Sequence, residues 1–235
     1  MCGRGNVDYS TEKIRETFAH LDDLAIGYDL SAPRLNLAPT DSVPVVRRQD
    51  QRLRLDGMRW GRDKGAGRGP VIWVRSETAA RGALASRQRG LIVFGACYEW
   101  KGPKGTKRTA YALRARQGEL FALAALCDRA VTSDGGVVES CTMLTQPALG
   151  AFAPIHDRMP ILVGAAHFGV WVDGNARTAD LLEVLRREQQ GMAEALEARI
   201  EDPVEYARDH GMSRTTTPAR KRASKADDSG QGSLF

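Results

Sequence analysis

The runs Leu91-Ile92-Val93-Phe94, Leu120-Phe121-Ala122-Leu123-Ala124-Ala125-Leu126 and Val137-Val138-Glu139-Ser140-Cys141-Thr142-Met143-Leu144 decide the fold class. Each is short, rich in β-formers and set off by Gly, Pro or Asp, which is the pattern of strands between turns. Working outward, the same texture recurs at Thr109–Leu113, Val71–Val74, Leu53–Trp60 and Val43–Val46. No regular long helix separates successive runs, which argues against a doubly wound parallel sheet. Toward the N-terminus, Ser10 is placed to cap a helix whose apolar positions Ile14, Phe18 and Leu21 recur at spacings of four and three. Toward the C-terminus, Thr178 opens a helical stretch with Leu181, Leu182 and Leu185 on one side, interrupted near Gly191 and resumed through Leu196. The expectation is an α+β fold, a mostly β single domain over residues 2–202 with flanking helices. Beyond Pro203 the core signal fades. From Ser213 the chain turns to Thr, Ser, Pro, Lys and Arg, a composition with too little apolar surface to order itself. Residues 203–235 are therefore expected to form a flexible basic tail.

Bulk composition narrows the class of protein. The 235 residues suffice for one substantial core, and 42% hydrophobic with 6% aromatic residues fits a globular chain. No apolar run reaches the roughly 18–20 residues of a membrane span, and no hydrophobic signal region opens the chain. A cytoplasmic protein with no membrane association is expected. The 34 basic and 29 acidic residues give a formal charge of +5, only a weak pointer to nucleic acid. Cys2, Cys97, Cys127 and Cys141 show neither C-x-x-C spacing nor the density of a disulfide scaffold, which argues against zinc and against disulfides.

Chemistry enters at the second residue. Methionine aminopeptidase removes Met1 when the next residue is small, and the mature chain then begins with Cys2. Such a 1,2-aminothiol attacks an aldehyde twice: the amine forms a Schiff base and the thiol closes a five-membered thiazolidine. The reaction needs no cofactor. With unperturbed values of about 7.7–8.0 for an α-amine and about 8.5 for a thiol, usable fractions of both nucleophiles exist near neutral pH.

Five segments stand in a telling order: Met1-Cys2-Gly3-Arg4, Arg34-Leu35-Asn36-Leu37-Ala38-Pro39, Arg75-Ser76-Glu77-Thr78, Cys97-Tyr98-Glu99-Trp100 and Ile155-His156-Asp157-Arg158-Met159-Pro160. Together they resemble the SRAP family, the SOS-response-associated peptidase-like proteins that cross-link to abasic DNA. The resemblance covers about residues 1–173 and implies an SRAP-like fold. It also implies covalent capture of abasic sites in single-stranded DNA through Cys2, as part of DNA repair. By the same resemblance Glu99 moves protons on the amine and Schiff base, and His156 lies beside the sugar ring oxygen. An abasic deoxyribose is mostly a closed hemiacetal, and histidine, with an unperturbed pKa of about 6.5, suits proton donation to that oxygen. Arg4, Arg75 and Arg158 match the DNA-binding face, where a guanidinium fork fits phosphate. Asn36 and Thr145 fall at site-lining positions. Trp60 either stacks on a base flanking the lesion or anchors the core.

The pattern breaks in three places. Where the family usually has an asparagine two residues before the arginine of its third segment, this chain has Trp73, whose ring nitrogen can only donate. The indole either fills the gap left by the missing base or blocks the site. Trp60-Gly61 runs into Arg62-Asp63-Lys64-Gly65 in place of the family's turn, and the family segment after about Trp171 is not recognisable. Two other functions compete: a cysteine peptidase with Cys2 as nucleophile, acting on its own N-terminus, and a non-catalytic DNA-binding adaptor at replication forks. The last residues, Gln231-Gly232-Ser233-Leu234-Phe235, resemble the Q-x-x-L-F peptide that binds the bacterial DNA-polymerase sliding clamp. This implies a clamp partner contacted by Gln231, Leu234 and Phe235, and a nucleoid-associated location.

Overall fold

The computed structural model describes residues 2–21, 24–63, 69–103, 105–132 and 135–212. The strands are β1 (Arg4–Val7), β2 (Leu24–Ile26), β3 (Arg34–Leu37), β4 (Ser42–Gln49), β5 (Arg52–Trp60), β6 (Trp73–Arg75), β7 (Gln88–Phe94), β8 (Ala96–Lys101), β9 (Thr109–Ala115), β10 (Phe121–Val131), β11 (Val137–Pro147), β12 (Arg158–Pro160) and β13 (Leu196–Ile200). The helices are short: α1 (Thr11–Thr17), α2 (Ser76–Ala79), α3 (Gly82–Ala85), α4 (Phe168–Val172), α5 (Thr178–Arg186), α6 (Gln189–Glu194) and α7 (Pro203–Asp209). None of the described helices is long and apolar enough to cross a membrane.

The three runs that decide the fold form its centre. β10 pairs antiparallel with β7 on one side and β11 on the other, and β7 continues to β4 and β5. A parallel pairing of β11 with β5, Ser140 opposite Arg59 and Cys141 opposite Trp60, then closes the circuit into a barrel. Alternation along β5 sends Leu53, Leu55, Met58 and Trp60 inward, all at most 1% exposed. β10 is buried continuously from Phe121 to Cys127, so both of its faces are covered there.

A second sheet, ordered β13-β9-β8-β1-β3, lies against the barrel. The join is tight at Gly5 of β1: a Cβ built there would stand 2.7 Å from the ring of Phe94, at the end of β7. Only the smallest residue lets the N-terminal strand approach the barrel so closely. Ser10 caps α1 as the spacing predicts, accepting from the Lys13 amide, and Ile14 and Phe18 are buried.

Several expectations need correction. Leu196 does not continue a helix; it starts β13, whose five residues pair with β9 from Ala115 to Tyr111. The run at Val71–Val74 is a strand only from Trp73, while Val71 makes an isolated bridge to Arg62. The tail expected from residue 203 begins on α7, where Asp202 caps the helix, Pro203 occupies the first turn and Ala207 is buried. Arg114 of β9 lies 5.1 Å above the Tyr206 ring, fastening α7 to the second sheet. The terminal segment with Gln231, Leu234 and Phe235 lies outside the described residues.

Candidate functional site around Cys2

Cys2 precedes β1, and β1 lies antiparallel to β8, with Arg4 opposite Tyr98 and Gly5 opposite Cys97. This pairing brings the first and fourth quoted segments of chemistry-bearing residues to one place. Cys2 is 1% exposed, and its thiol is hydrogen-bonded to the Cys97 thiol. That bond, burial and the nearby charges of Cys97 and Glu99 push the Cys2 thiol well above its ordinary value. Glu99 is itself buried, and its Oε1 accepts from the Trp100 amide at 2.9 Å. The Cys2 carbonyl accepts from Trp73 Nε1 at 2.8 Å. The half-buried indole therefore sits directly against Cys2 and packs on the core.

Asn36, on β3 beside β1, is 8% exposed and has a left-handed backbone, φ 56°. Asparagine tolerates that conformation better than most residues. Its amide donates to Asn6 Oδ1 at 2.9 Å, and its carbonyl accepts from Arg4 Nη1 at 3.3 Å. Asn6 Nδ2 donates to the Tyr98 hydroxyl at 3.0 Å, which donates to Glu201 Oε1 at 2.6 Å, and Arg114 grips both oxygens of Glu201. Burial and the Glu201 carboxylate raise the Tyr98 phenol well above its usual range, so it remains a donor. With its backbone held in this way, Asn36 keeps a buried Oδ1 with no partner among the described residues. Such an acceptor is costly to leave unmet and suits a hydroxyl of a bound molecule.

A second group assembles on β11. Thr145 pairs with Arg75 of β6 on one side and with Pro160 of β12 on the other. Arg158 Nη2 donates to the Thr145 carbonyl at 2.7 Å, while Nη1 and Nη2 each reach one oxygen of Glu77 at 3.1 Å. The Arg158 guanidinium hydrogen-bonded to it holds the Glu77 carboxyl down at about 2. Arg158 is thus engaged as a brace between β12, β11 and α2, and meeting a phosphate would require it to share its fork. Arg75 is exposed. His156 Nδ1 accepts from the Arg158 amide at 3.0 Å and lies 2.6 Å from Asp157 Oδ1. The first contact fits a neutral ring, which then carries its proton on Nε2, and the second fits a ring protonated at Nδ1. β6 links the two groups: Trp73 touches Cys2, and Arg75, two residues on and so on the same face, pairs with Thr145.

Trp60 belongs elsewhere. It is 0% exposed, tilted against Phe94 at a ring separation of 5.7 Å, and is a core anchor, so the base-stacking reading is set aside. Two residues with no role read from sequence prove to touch the site: Cys97 beside the Cys2 thiol, and Glu77 under Arg158. Both lie inside the quoted segments, but a thiol or a carboxylate in such a run carries no signal of its partner. All four cysteines are free and buried, and no cluster of metal-ligating side chains occurs among the described residues.

A small β-barrel with a flanking sheet, carrying a buried cysteine at position 2 beside a buried glutamate, defines the class of protein. The chain belongs to the SOS response associated peptidase (SRAP) family, which matches residues 1–203. Among its relatives, the abasic site processing protein YoaM of Bacillus subtilis is 26% identical over 204 residues, covering 79% of this chain and 85% of that one. The abasic site processing protein YedK of Escherichia coli is 27% identical over 178 residues, covering 73% and 79%. A solved structure of a Bordetella bronchiseptica protein aligns with a TM-score of 0.68 at 22% identity, over 86% of this chain and all of that one. A Bacteroides thetaiotaomicron structure aligns at 0.63 and 13% identity, over 86% and 93%.

Proposed function

We propose that this protein acts in DNA repair by covalently capturing abasic sites in single-stranded DNA through Cys2, after Met1 is removed. The observation that carries the reading is the group around Cys2: a buried thiol, the Glu99 carboxylate near enough to act on its charge, and the Trp73 indole fixing the residue by its carbonyl. His156 gives a proton to the ring oxygen of the closed sugar, and the ring opens to the aldehyde. The Cys2 amine adds to the carbonyl carbon, and water leaves with protons passed through Glu99, which yields the imine. The thiol then adds across the C=N bond, its proton ends on the nitrogen, and the thiazolidine closes. The unpartnered Asn36 Oδ1 takes a sugar hydroxyl, Thr145 lines the wall, and Arg4 and Arg75 meet the flanking phosphates. Trp73 occupies space left by the absent base and orients Cys2.

The test incubates the mature protein with a single-stranded oligonucleotide bearing one abasic site, followed by denaturing electrophoresis. A heat-stable shifted band is expected from wild type and none from Cys2→Ala. Glu99→Gln and His156→Ala are expected to slow its formation by about 10²–10⁴-fold without weakening binding. A full-strength stable adduct from Cys2→Ala would sink the mechanism.

The proposal includes a tether. The terminal Gln231-Gly232-Ser233-Leu234-Phe235 suits docking of the Leu-Phe pair in the hydrophobic pocket of a bacterial sliding clamp. Beyond α7, a linker as long as residues 213–230, about 18 residues, would reach on the order of 20–25 Å as a flexible chain and would keep Cys2 near nucleoid DNA being copied. Calorimetry with a tail peptide and purified clamp should show weak to moderate binding that Leu234→Ala with Phe235→Ala removes. No heat with the wild-type peptide leaves the tail a basic extension.

A further inference from the structure

A cleft of about 700 Å³ opens at the other end of β7 from the Cys2 site, between the end of β4 with its turn, the start of β7 and the loop from α4 to α5. β7 places Arg89 at this end and Phe94, which packs under Gly5, at the other. Five residues of strand separate them by about 17 Å. The cleft is therefore distinct from the site described above.

Its charges do not balance. Four arginines, Arg48, Arg87, Arg89 and Arg177, line it against two aspartates, Asp50 and Asp173. Arg89 is 4% exposed: its Nε donates to the Trp171 carbonyl at 2.6 Å and its Nη1 to Thr178 Oγ1 at 3.2 Å. Its Nη2 is buried with no partner among the described residues. Asp173 opposes the cost of burying this guanidinium, and Asp173 Oδ1 already lies 2.7 Å from Arg48 Nε. Arg87 pairs with Asp128 just outside the cleft, but Arg62 Nε shares that aspartate at 3.6 Å. Counting this pair on both sides, together with Asp180 at 3.9 Å from Arg177 Nε, leaves a surplus of one positive charge. A buried cation without its own counter-charge is expensive. In addition, α5, nine residues long, begins at Thr178 with no side-chain cap, and Asp180 in its first turn offsets only part of the field of its positive end.

We propose that this cleft is a phosphate-binding site. A phosphate group supplies the negative charge that is missing, and its oxygens match guanidinium forks. The phosphate arrives either as part of a nucleic-acid backbone or on a free small molecule.

Calorimetry with inorganic phosphate, at ionic strength held constant with chloride, reads the site directly. One-to-one binding by wild type is expected, weakened roughly tenfold in Arg48→Gln with Arg177→Gln. Arg177 is 81% exposed in its side chain, so Arg177→Gln alone folds and should show a smaller loss in the same direction. Arg89→Lys keeps the charge, loses the fork and should also weaken binding. A second arm measures undamaged single-stranded DNA. If phosphate competes with the DNA and the double variant binds it more weakly, the occupant is a backbone phosphate. If phosphate binds while DNA binding is indifferent to the variants, the occupant is a free phosphate compound. No phosphate binding by wild type, or binding unchanged in all three variants, overturns the proposal. Adduct formation with abasic DNA is a separate readout, so failure here leaves the Cys2 reading standing.

Discussion

At the scale of single residues, the environment of the Cys2 thiol is set first by Cys97. The hydrogen bond between the two thiols, then burial, then the Cys97 and Glu99 charges all favour the protonated form. Taking away Cys97 removes the largest of these, so Cys97→Ala should lower the pKa of the Cys2 thiol. A lower pKa raises the thiolate fraction at any fixed pH, and the pH–rate profile for adduct formation should move to lower pH. An unmoved profile would mean that ring closure does not depend on the thiolate. The quoted segments place Glu99 in the same short run as Cys97, and the structure does bring it to Cys2. The relation of Cys97 to Cys2 was not legible, because it depends on the chain preceding β1 bending back toward β8.

The elements explain why the site has its shape. β1 is only four residues long, yet it runs between β3 and β8 just after Cys2 and closes on the barrel at Gly5. The Phe94 ring beneath Gly5 is 0% exposed and touches Trp60, so it has little room to swing aside. Gly5→Ala should therefore cost about 1–3 kcal/mol of stability through overpacking and slow adduct formation by displacing Cys2. Urea unfolding gives the first quantity and gel kinetics the second. A change under about 0.5 kcal/mol would show that the ring yields easily. Strands with clear runs, such as β5 and β10, could be read from sequence. β1, β3 and β12 could not, because three or four residues give too few alternations. β8 is buried at its first four positions in succession and reads as motif before it reads as strand. β13 exposes most of its residues and follows α6 almost without a break, so in the sequence its one inward leucine reads as the end of the helix.

For the whole molecule, the barrel's centre was legible and its closure was not. The pairs β4–β5, β4–β7, β7–β10 and β10–β11 are antiparallel, but the ring is completed by two parallel residue pairs between segments about 80 positions apart in the chain. No local pattern encodes such a meeting. Closing so long a loop costs entropy that short-range pairing does not, and two residue pairs return little against it, while β7 and β10 share seven. The consequence is kinetic. The seam should be the last part of the barrel to zip during folding and the first to breathe in the native state. In amide hydrogen exchange, Gly61, which donates to the Cys141 carbonyl at 2.8 Å, should lose protection sooner than Leu123 or Ala124 on β10. Equal protection would mean that the barrel opens only as a unit. β11 forms one side of that seam and, four residues beyond Cys141, carries Thr145. A strand of DNA held against Thr145 and Arg75 should therefore slow exchange at Gly61, making the seam's amide clock a reporter of occupancy at a wall it does not touch.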